Sequence, residues 1–448
     1  MLHQPGVTQN LARFVVTTRW DDVPEPVRHD AKRALMNIVA VALAGCREES
    51  LEILLRSLAA FCGPQQATVI GRRERLDALS AAFLNAAGMN MPSFCDTHLR
   101  TVIHPTSPIA PGLFALSELR TVSGREFLLA FVLGAEIECR IGNAISPGHY
   151  ARGWHITATC GVFGAAAAAG KVLALDEQKM ISALGAAATQ SSGLCECLGS
   201  PAKSLGVGNA ARNGLWSALL ADQGLQGPVE PIAGVQGFIN ALGQEPDWSA
   251  FSDGLGETWE LRQNALKPYP CGVVLHPVID CVLDWRRAHP AETVERVVVR
   301  GHPLLALRAD RPQVASGREA QVSVQHVVAA ALLRGRASLQ EFSDACVNDP
   351  AVLAMRGKVE VLRDESIDPV AAAVEITAGG GKRYDIATEA ARGSASNPMS
   401  DRDLEEKFRA CAEGWQGGYD AAPLIDAMWN LDRSDEVAKV LTLLVPAH

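Results

Sequence analysis

Apolar residues recur at helical spacing over roughly the first 265 residues and then switch to strand-like alternation. Between Asp30 and Leu43 they fall at Ala34, Leu35, Ile38, Val39 and Ala42, and Gly45 supplies a stop. Asp77 can cap a second helix that runs to Asn85 and ends near Gly88. Ser123-Gly-Arg-Glu126 fits a capping box that opens the apolar run Phe127 to Ile141. Alanine-rich helices are predicted over 157–174, 177–189 and 209–223. Several are apolar nearly all round, which implies a thick bundle or burial at a subunit interface.

Past Lys267 the period changes. Val294 to Arg300, Lys358 to Leu362, Ala372 to Thr377 and Lys382 to Thr388 alternate like strands, and Gly379-Gly-Gly381 joins the last two as a hairpin turn. Helices are predicted near 323–334 and 338–347, the second opened by the capping box Ser338-Leu-Gln-Glu341. From about Ser400 the pattern is helical again. No internal repeat or low-complexity linker interrupts the chain. The fold expected is mainly α with an α+β part: a large all-α-helical domain over 1–267, a smaller α+β domain over 268–395, and C-terminal helices over 396–448 that return to the first domain.

A chain of 448 residues exceeds the size at which one core keeps growing, which agrees with two domains. Hydrophobic residues make up 48% and aromatic ones 5%, so alanine carries much of the apolar content and favours close helix packing. A net charge of −9 argues against nucleic acid or an anionic membrane surface as partner, while leaving an anionic small molecule open. Eleven scattered cysteines, many in apolar runs, read as buried thiols of a reduced, cytoplasmic protein. The start, Met1-Leu-His-Gln-Pro-Gly6, lacks a basic stretch followed by an apolar one, so no secretory signal is expected. Thr157 to Leu175 is rich in Gly and Ala and contains Lys171, so a buried helix is expected there rather than a membrane span.

Three polar clusters stand out in this apolar background: Ser93-Phe-Cys-Asp96-Thr97-His98 with His104-Pro105, Gly153-Trp-His155-Ile-Thr157, and Lys267-Pro-Tyr269-Pro-Cys271 with His276-Pro277. Pro and Gly beside titratable groups hold side chains at bends. His, Lys, Tyr and Asp together suit proton transfer next to a carboxylate, where a cation holds the anion and a tuned base or acid moves the proton. Asp96, His98 and His104 could ligate a metal, but their spacing matches no recognised ligand set, and capping or turn use is the plainer alternative. Tyr150 and Arg152 come just before His155, which a structural role would also explain. Lys203 is expected on a loop before a helix, and Lys267 on a stiff loop between two predicted segments. No CxxC pair, HExxH motif or strand-anchored glycine fingerprint is present, so no metal, flavin or nucleotide is expected.

In these clusters the chain resembles the MmgE/PrpD family, which includes 2-methylcitrate dehydratase, cis-aconitate decarboxylase and iminodisuccinate epimerase. The motifs that carry the resemblance are Asp96-Thr-His98 through His104-Pro105, His149-Tyr-Ala-Arg-Gly-Trp-His155, Lys203, and Lys267-Pro-Tyr-Pro-Cys271 with His276-Pro277. Arg311-Pro-Gln before Val322-Ser-Val-Gln-His326, and Pro398-Met-Ser-Asp through Phe408, match as well. The resemblance implies a large helical domain, a smaller α+β lid domain, a homodimer, and a site between the domains that uses no metal or organic cofactor. It places the family's polar site residues on Thr97, His104, His155, Lys203 and Lys267. The chain departs from the family in four places. Ser93-Phe-Cys95-Asp96 stands where the family usually reads Asp-Phe-Asp-Asp, and His326 stands at the Tyr of decarboxylase-like members. The Thr97–His104 spacing is one residue longer than in the decarboxylase, and Gly206 replaces a His.

The expectation is an enzyme that abstracts or transfers a proton α to a carboxylate of a small di- or tricarboxylate, a lyase of the 2-methylcitrate dehydratase kind. Epimerisation of an iminodisuccinate-type amino dicarboxylate is the alternative that the thinned acidic run favours, and a non-catalytic dimeric metabolite-binding paralogue is a further one. His104 and His155 are expected as acid and base, with Lys267, Tyr150 and Asp96 beside them. Thr97, Lys203, Arg152, Tyr269 and His326 are expected to bind or orient the substrate.

Overall fold

The computed structural model describes residues 6–446. Residues 1–5, which belong to the start read above for a leader, and 447–448 lie outside the described residues. The chain divides into two compact units. Among the described residues, one comprises those up to Met91, Cys95–Asn264 and those from Ser400 onwards, and the other comprises Pro92–Phe94 and Ala265–Met399.

The first unit is helical. Its long helices are Glu25–Gly45, Ala78–Asn90, Thr106–Leu119, Gly124–Ile145, Ile156–Val172, Glu177–Ala188, Ala202–Asp222 and Asp401–Trp415. The expected caps form: Asp77 Oδ1 accepts from Ser80 N at 3.0 Å, and Ser123 N donates to Glu126 Oε2 at 2.8 Å. The Ala78 helix runs through Gly88 to Asn90 instead of stopping at the glycine. A Cβ at Gly88 would lie 3.2 Å from Leu51 Cδ2, so this glycine serves packing, not termination. The Ile156 helix is buried at every position from Ile156 to Gly170. Small residues let its neighbours come close. A Cβ on Gly134 would lie 2.7 Å from Gly164 O, and one on Gly214 would lie 2.4 Å from Ala165 Cβ. The Ala and Gly content is therefore used for backbone approach, where larger side chains would hold the helices apart. The C-terminal Asp401 helix packs on the Glu25 helix, where Lys407 Nζ donates to Asn37 Oδ1 at 2.7 Å and Arg33 pairs with Asp401.

The second unit is built on a four-stranded mixed sheet. Val359–Arg363 pairs parallel with Val294–Gly301, which pairs antiparallel with Ala372–Ala378, which in turn pairs with Lys382–Thr388. The hairpin register joins Ala378 to Lys382 and Ala372 to Thr388. Its turn needs Gly380 and Gly381, both at φ 75°, a region where a Cβ would be strained. Ala372–Ala378 buries every second residue, as a strand with one covered face should. The helices His276–Ala288 and Val324–Arg334 share an apolar core with these strands. The helix expected at 338–347 is instead a 3₁₀ turn, Leu339–Phe342, followed by a short helix, Asp344–Val347. The second starts anew because Ser343 Oγ accepts from Cys346 N. All eleven cysteines are free thiols. Among the described residues, no helix is long and apolar enough to cross a membrane.

Candidate active site

The polar residues of the first unit gather where several helix ends meet. Asp96–His98 forms a short extended, buried segment, where the sequence suggested a polar loop. A tight turn follows, closed by His98 N donating to Ile103 O at 2.8 Å. Val102 sits in this turn at φ 58°, an outlier for a β-branched residue. The turn delivers His104 back beside Asp96. His104 Nδ1 lies 2.7 Å from the Asp96 carbonyl oxygen and 3.1 Å from Thr97 Oγ1. A carbonyl can only accept, so Nδ1 carries the hydrogen, and Nε2 is the basic nitrogen of the neutral ring. The backbone is fixed as well, since His104 N donates to Thr157 Oγ1 at 3.1 Å.

His155 caps the start of the Ile156 helix and is 3% exposed. Its N–H donates to Gly193 O at 3.1 Å. Burial holds its imidazole well below the ordinary histidine range, and the nearby charges of Lys203 and His104 push it in the same direction. It is therefore neutral at pH 7 and able to accept a proton. Lys203, expected on a loop, lies in the first turn of the Ala202–Asp222 helix, because that helix starts seven residues earlier than its apolar pattern suggested. Gly206 and Gly208 lie inside the same helix, where a Cβ on Gly208 would press on Phe83 at 2.8 Å; they are packing glycines.

Asp96 is fully buried and caps the Thr106–Leu119 helix. Its Oδ2 accepts from Asn264 Nδ2 at 2.7 Å, from Thr106 N at 3.3 Å and from Thr106 Oγ1. Burial raises its pKa above the ordinary carboxyl value, with Cys95 adding to the rise, while Thr106, Asn264 and His104 oppose it. His98, the other candidate metal ligand, has its ring between Thr101 Oγ1 at 2.8 Å and Glu260 Oε2 at 3.0 Å. His149 likewise lies between the Leu242 carbonyl and Thr159 Oγ1, so it is a pinned structural residue. Tyr150 is half-buried and Arg152 exposed, both just ahead of His155.

Three more of the expected residues belong to the second unit. Lys267 is 3% exposed, and its Nζ donates to Ser93 O at 3.2 Å. Ser93 itself holds φ 54°, a left-handed conformation that a non-glycine residue adopts at a cost. Tyr269 donates its hydroxyl to Asp280 Oδ1 at 2.7 Å, and burial, then Asp280, pushes its phenol well above the ordinary range. His326 is fully buried; its Nε2 donates to the Glu341 carbonyl at 2.7 Å, and burial lowers its basicity.

The structure brings Asp96, Thr97, His104, His155 and Lys203 into one neighbourhood. It also adds Thr106, Thr157 and Asn264, which sequence reasoning did not single out as site residues. Thr157 was legible as part of the Gly153–Thr157 cluster. Asn264 carried no local signal, because it reaches Asp96 across 168 positions.

Comparison with known proteins gives a consistent picture. A model of the MmgE/PrpD N-terminal domain matches residues 9–250, and one of the MmgE/PrpD C-terminal domain matches residues 269–433. A cis-aconitate decarboxylase of Aspergillus terreus is 28% identical over 473 aligned positions, covering 98% of this chain and 96% of that protein. The cis-aconitate decarboxylase of Homo sapiens is 27% identical, covering 98% and 94%. That of Mus musculus is 28% identical, covering 91% and 87%.

Proposed function

The chain belongs to the MmgE/PrpD family, and on that premise we propose that it is a lyase-type enzyme of small carboxylates that moves a proton at the carbon α to a carboxylate. The observation that carries this reading is the pair of histidines. His155 is buried and kept neutral, and His104 has its Nδ1 hydrogen committed to the Asp96 carbonyl. A neutral imidazole accepts a carbon-bound proton, and the oriented second one returns a proton to the leaving group or to the carbanion. Lys203 bears a positive charge beside His155 and suits a substrate carboxylate there. The relatives named above act on cis-aconitate, a tricarboxylate, which favours a substrate with two or three carboxylates.

In a dehydration, the base takes the α-hydrogen, the electron pair forms the alkene, and hydroxide leaves as water with a proton from the acid. In a decarboxylation, the pair released by carbon dioxide is quenched by that same acid. An epimerisation returns the proton to the opposite face. Roles for Lys267, Tyr269 and His326 belong to the same proposal, as does a homodimer.

Incubation with cis-aconitate, 2-methylcitrate and an iminodisuccinate-type compound in deuterated water tests it. Alkene absorbance, released carbon dioxide or solvent deuterium at the α-carbon identifies the reaction. Thermal stabilisation by these compounds without turnover or exchange would instead establish a binding protein.

A further inference from the structure

Two glutamates on the Gly124–Ile145 helix, two positions apart, are buried under opposite conditions. Glu136 Oε1 takes a hydrogen bond from Arg140 Nε at 2.6 Å, and its Oε2 takes one from Glu260 N at 2.8 Å. It sits in a pocket built for a carboxylate. Glu138 is 0% exposed, and neither of its oxygens has a hydrogen-bond partner. Its carboxyl is inserted against the Ile156–Val172 helix, where two glycines one turn apart make room for it. A Cβ on Gly164 would lie 2.4 Å from Glu138 Oε2, and one on Gly161 would lie 3.5 Å away. Among the described residues, the titratable groups that Glu138 meets electrostatically are Asp96 and the thiols of Cys139 and Cys160. None of them is a cation.

An ionised carboxylate without donor or counter-charge is among the costliest groups to bury, and a neutral acid is far cheaper. Asp96 is the anionic neighbour, and one of its oxygens, Oδ1, is also buried without a partner. Burial raises both carboxyls, so the donors decide between them. Asp96 Oδ2 has three donors, from Asn264 and from the backbone and hydroxyl of Thr106, all of which favour its charged form. Glu138 has none.

We infer that Glu138 is a neutral carboxylic acid that holds the proton of an Asp96–Glu138 pair, leaving Asp96 as the carboxylate beside His104. Glu138 is thus a positioning residue, acting through Asp96 and touching no substrate. Its consequence for turnover rests on the reading of His104 as a proton-transfer group, whereas its protonation state does not.

Infrared spectroscopy of the whole protein at about pH 8 reads that state directly, above the value of about 7 to which burial pushes Glu136. The expected result is a protonated-carboxyl band that shifts with ¹³C-glutamate labelling and disappears in Glu138→Gln. The same proton has a thermodynamic signature. The unfolded chain ionises Glu138 above its ordinary value of 4.5 and the folded chain does not, so the folded state binds one proton more. Stability then falls as pH rises, and between about pH 6 and 8 the unfolding constant of the wild type should gain tenfold per pH unit over that of Glu138→Gln. If the variant does not fold, the labelled wild type alone decides. A spectrum with no protonated glutamate band, or identical pH slopes for the two proteins, would overturn the inference. Both readouts are independent of activity, so failure of the lyase reading would leave them standing.

Discussion

In the helical unit, His155, Asp96 and Glu138 are buried under one another's or their neighbours' charges. In the α+β unit, the buried Tyr269 and His326 each donate a hydrogen bond to a fixed acceptor, Asp280 and the Glu341 carbonyl. The groups of the second unit are committed hydrogen-bond donors, and a proton held in that way stabilises a fold. Burial shifts the groups of both units; under the proposed reaction, the neutral His155 is the one poised for transfer. The contrast sets buried groups pinned by hydrogen bonds against the groups proposed to carry the chemistry.

The largest expected effect tests that separation at its strongest point. His155→Ala and His104→Ala should each lower kcat/KM by about 100- to 10,000-fold, the usual worth of a general acid or base, while the thermal midpoint stays close to the wild type. A parallel loss of stability would move either histidine into the structural class.

Tyr269→Phe probes the other side. It should cost about 1–3 kcal/mol of stability, because Asp280 Oδ1 loses its donor in a buried setting. Lost turnover at unchanged stability, measured by chemical denaturation, would place Tyr269 in the reaction instead. A matched pair of glycines compares packing in the two units. Gly164→Ala drives a Cβ onto Glu138 and to 2.9 Å from Gly134 O, and should cost about 1–3 kcal/mol. Gly380→Ala, with open space around it and φ +75°, should cost about 1 kcal/mol through backbone strain alone.

The pH dependence of stability should carry opposite signs from the two kinds of site group. His155 has its folded value depressed below 6.5, so its contribution is present above that pH and is lost as pH falls towards the depressed value. Glu138 and Asp96 are raised, so their contribution is present at low pH and fades as pH rises above their ordinary values of 4.5 and 3.8. Comparing His155→Gln with the wild type between about pH 5 and 7 should remove the acid-side loss. The smallest effect is expected at Val102, where Gly relieves the left-handed backbone of the turn before His104 and should raise stability by at most about 1 kcal/mol.

Much of this molecule was determined by its sequence alone. The mainly helical first unit, the strand-rich second one and the capping boxes at Ser123 and Ser338 are local matters of period and side-chain reach, so they are legible without a partner in space. His104 and His155 stood out beside Pro, Gly and neighbouring polar groups, and Lys203 was placed by the family resemblance. The tertiary structure decided the rest. Gly88 read as a stop and Gly208 carried no signal of its own, and only the side chains of Leu51 and Phe83 showed why a glycine is needed at each. Lys203 read as a loop residue, because the first turn of its helix has no apolar stripe to announce it. Glu136 and Glu138 are indistinguishable as letters in one apolar helix. Which of them keeps its charge depends on Arg140 and the Glu260 N–H reaching one carboxyl, while two glycines of another helix make dry room for the other. Desolvation and donor placement are properties of surroundings assembled from distant parts of the chain, and local sequence does not encode them.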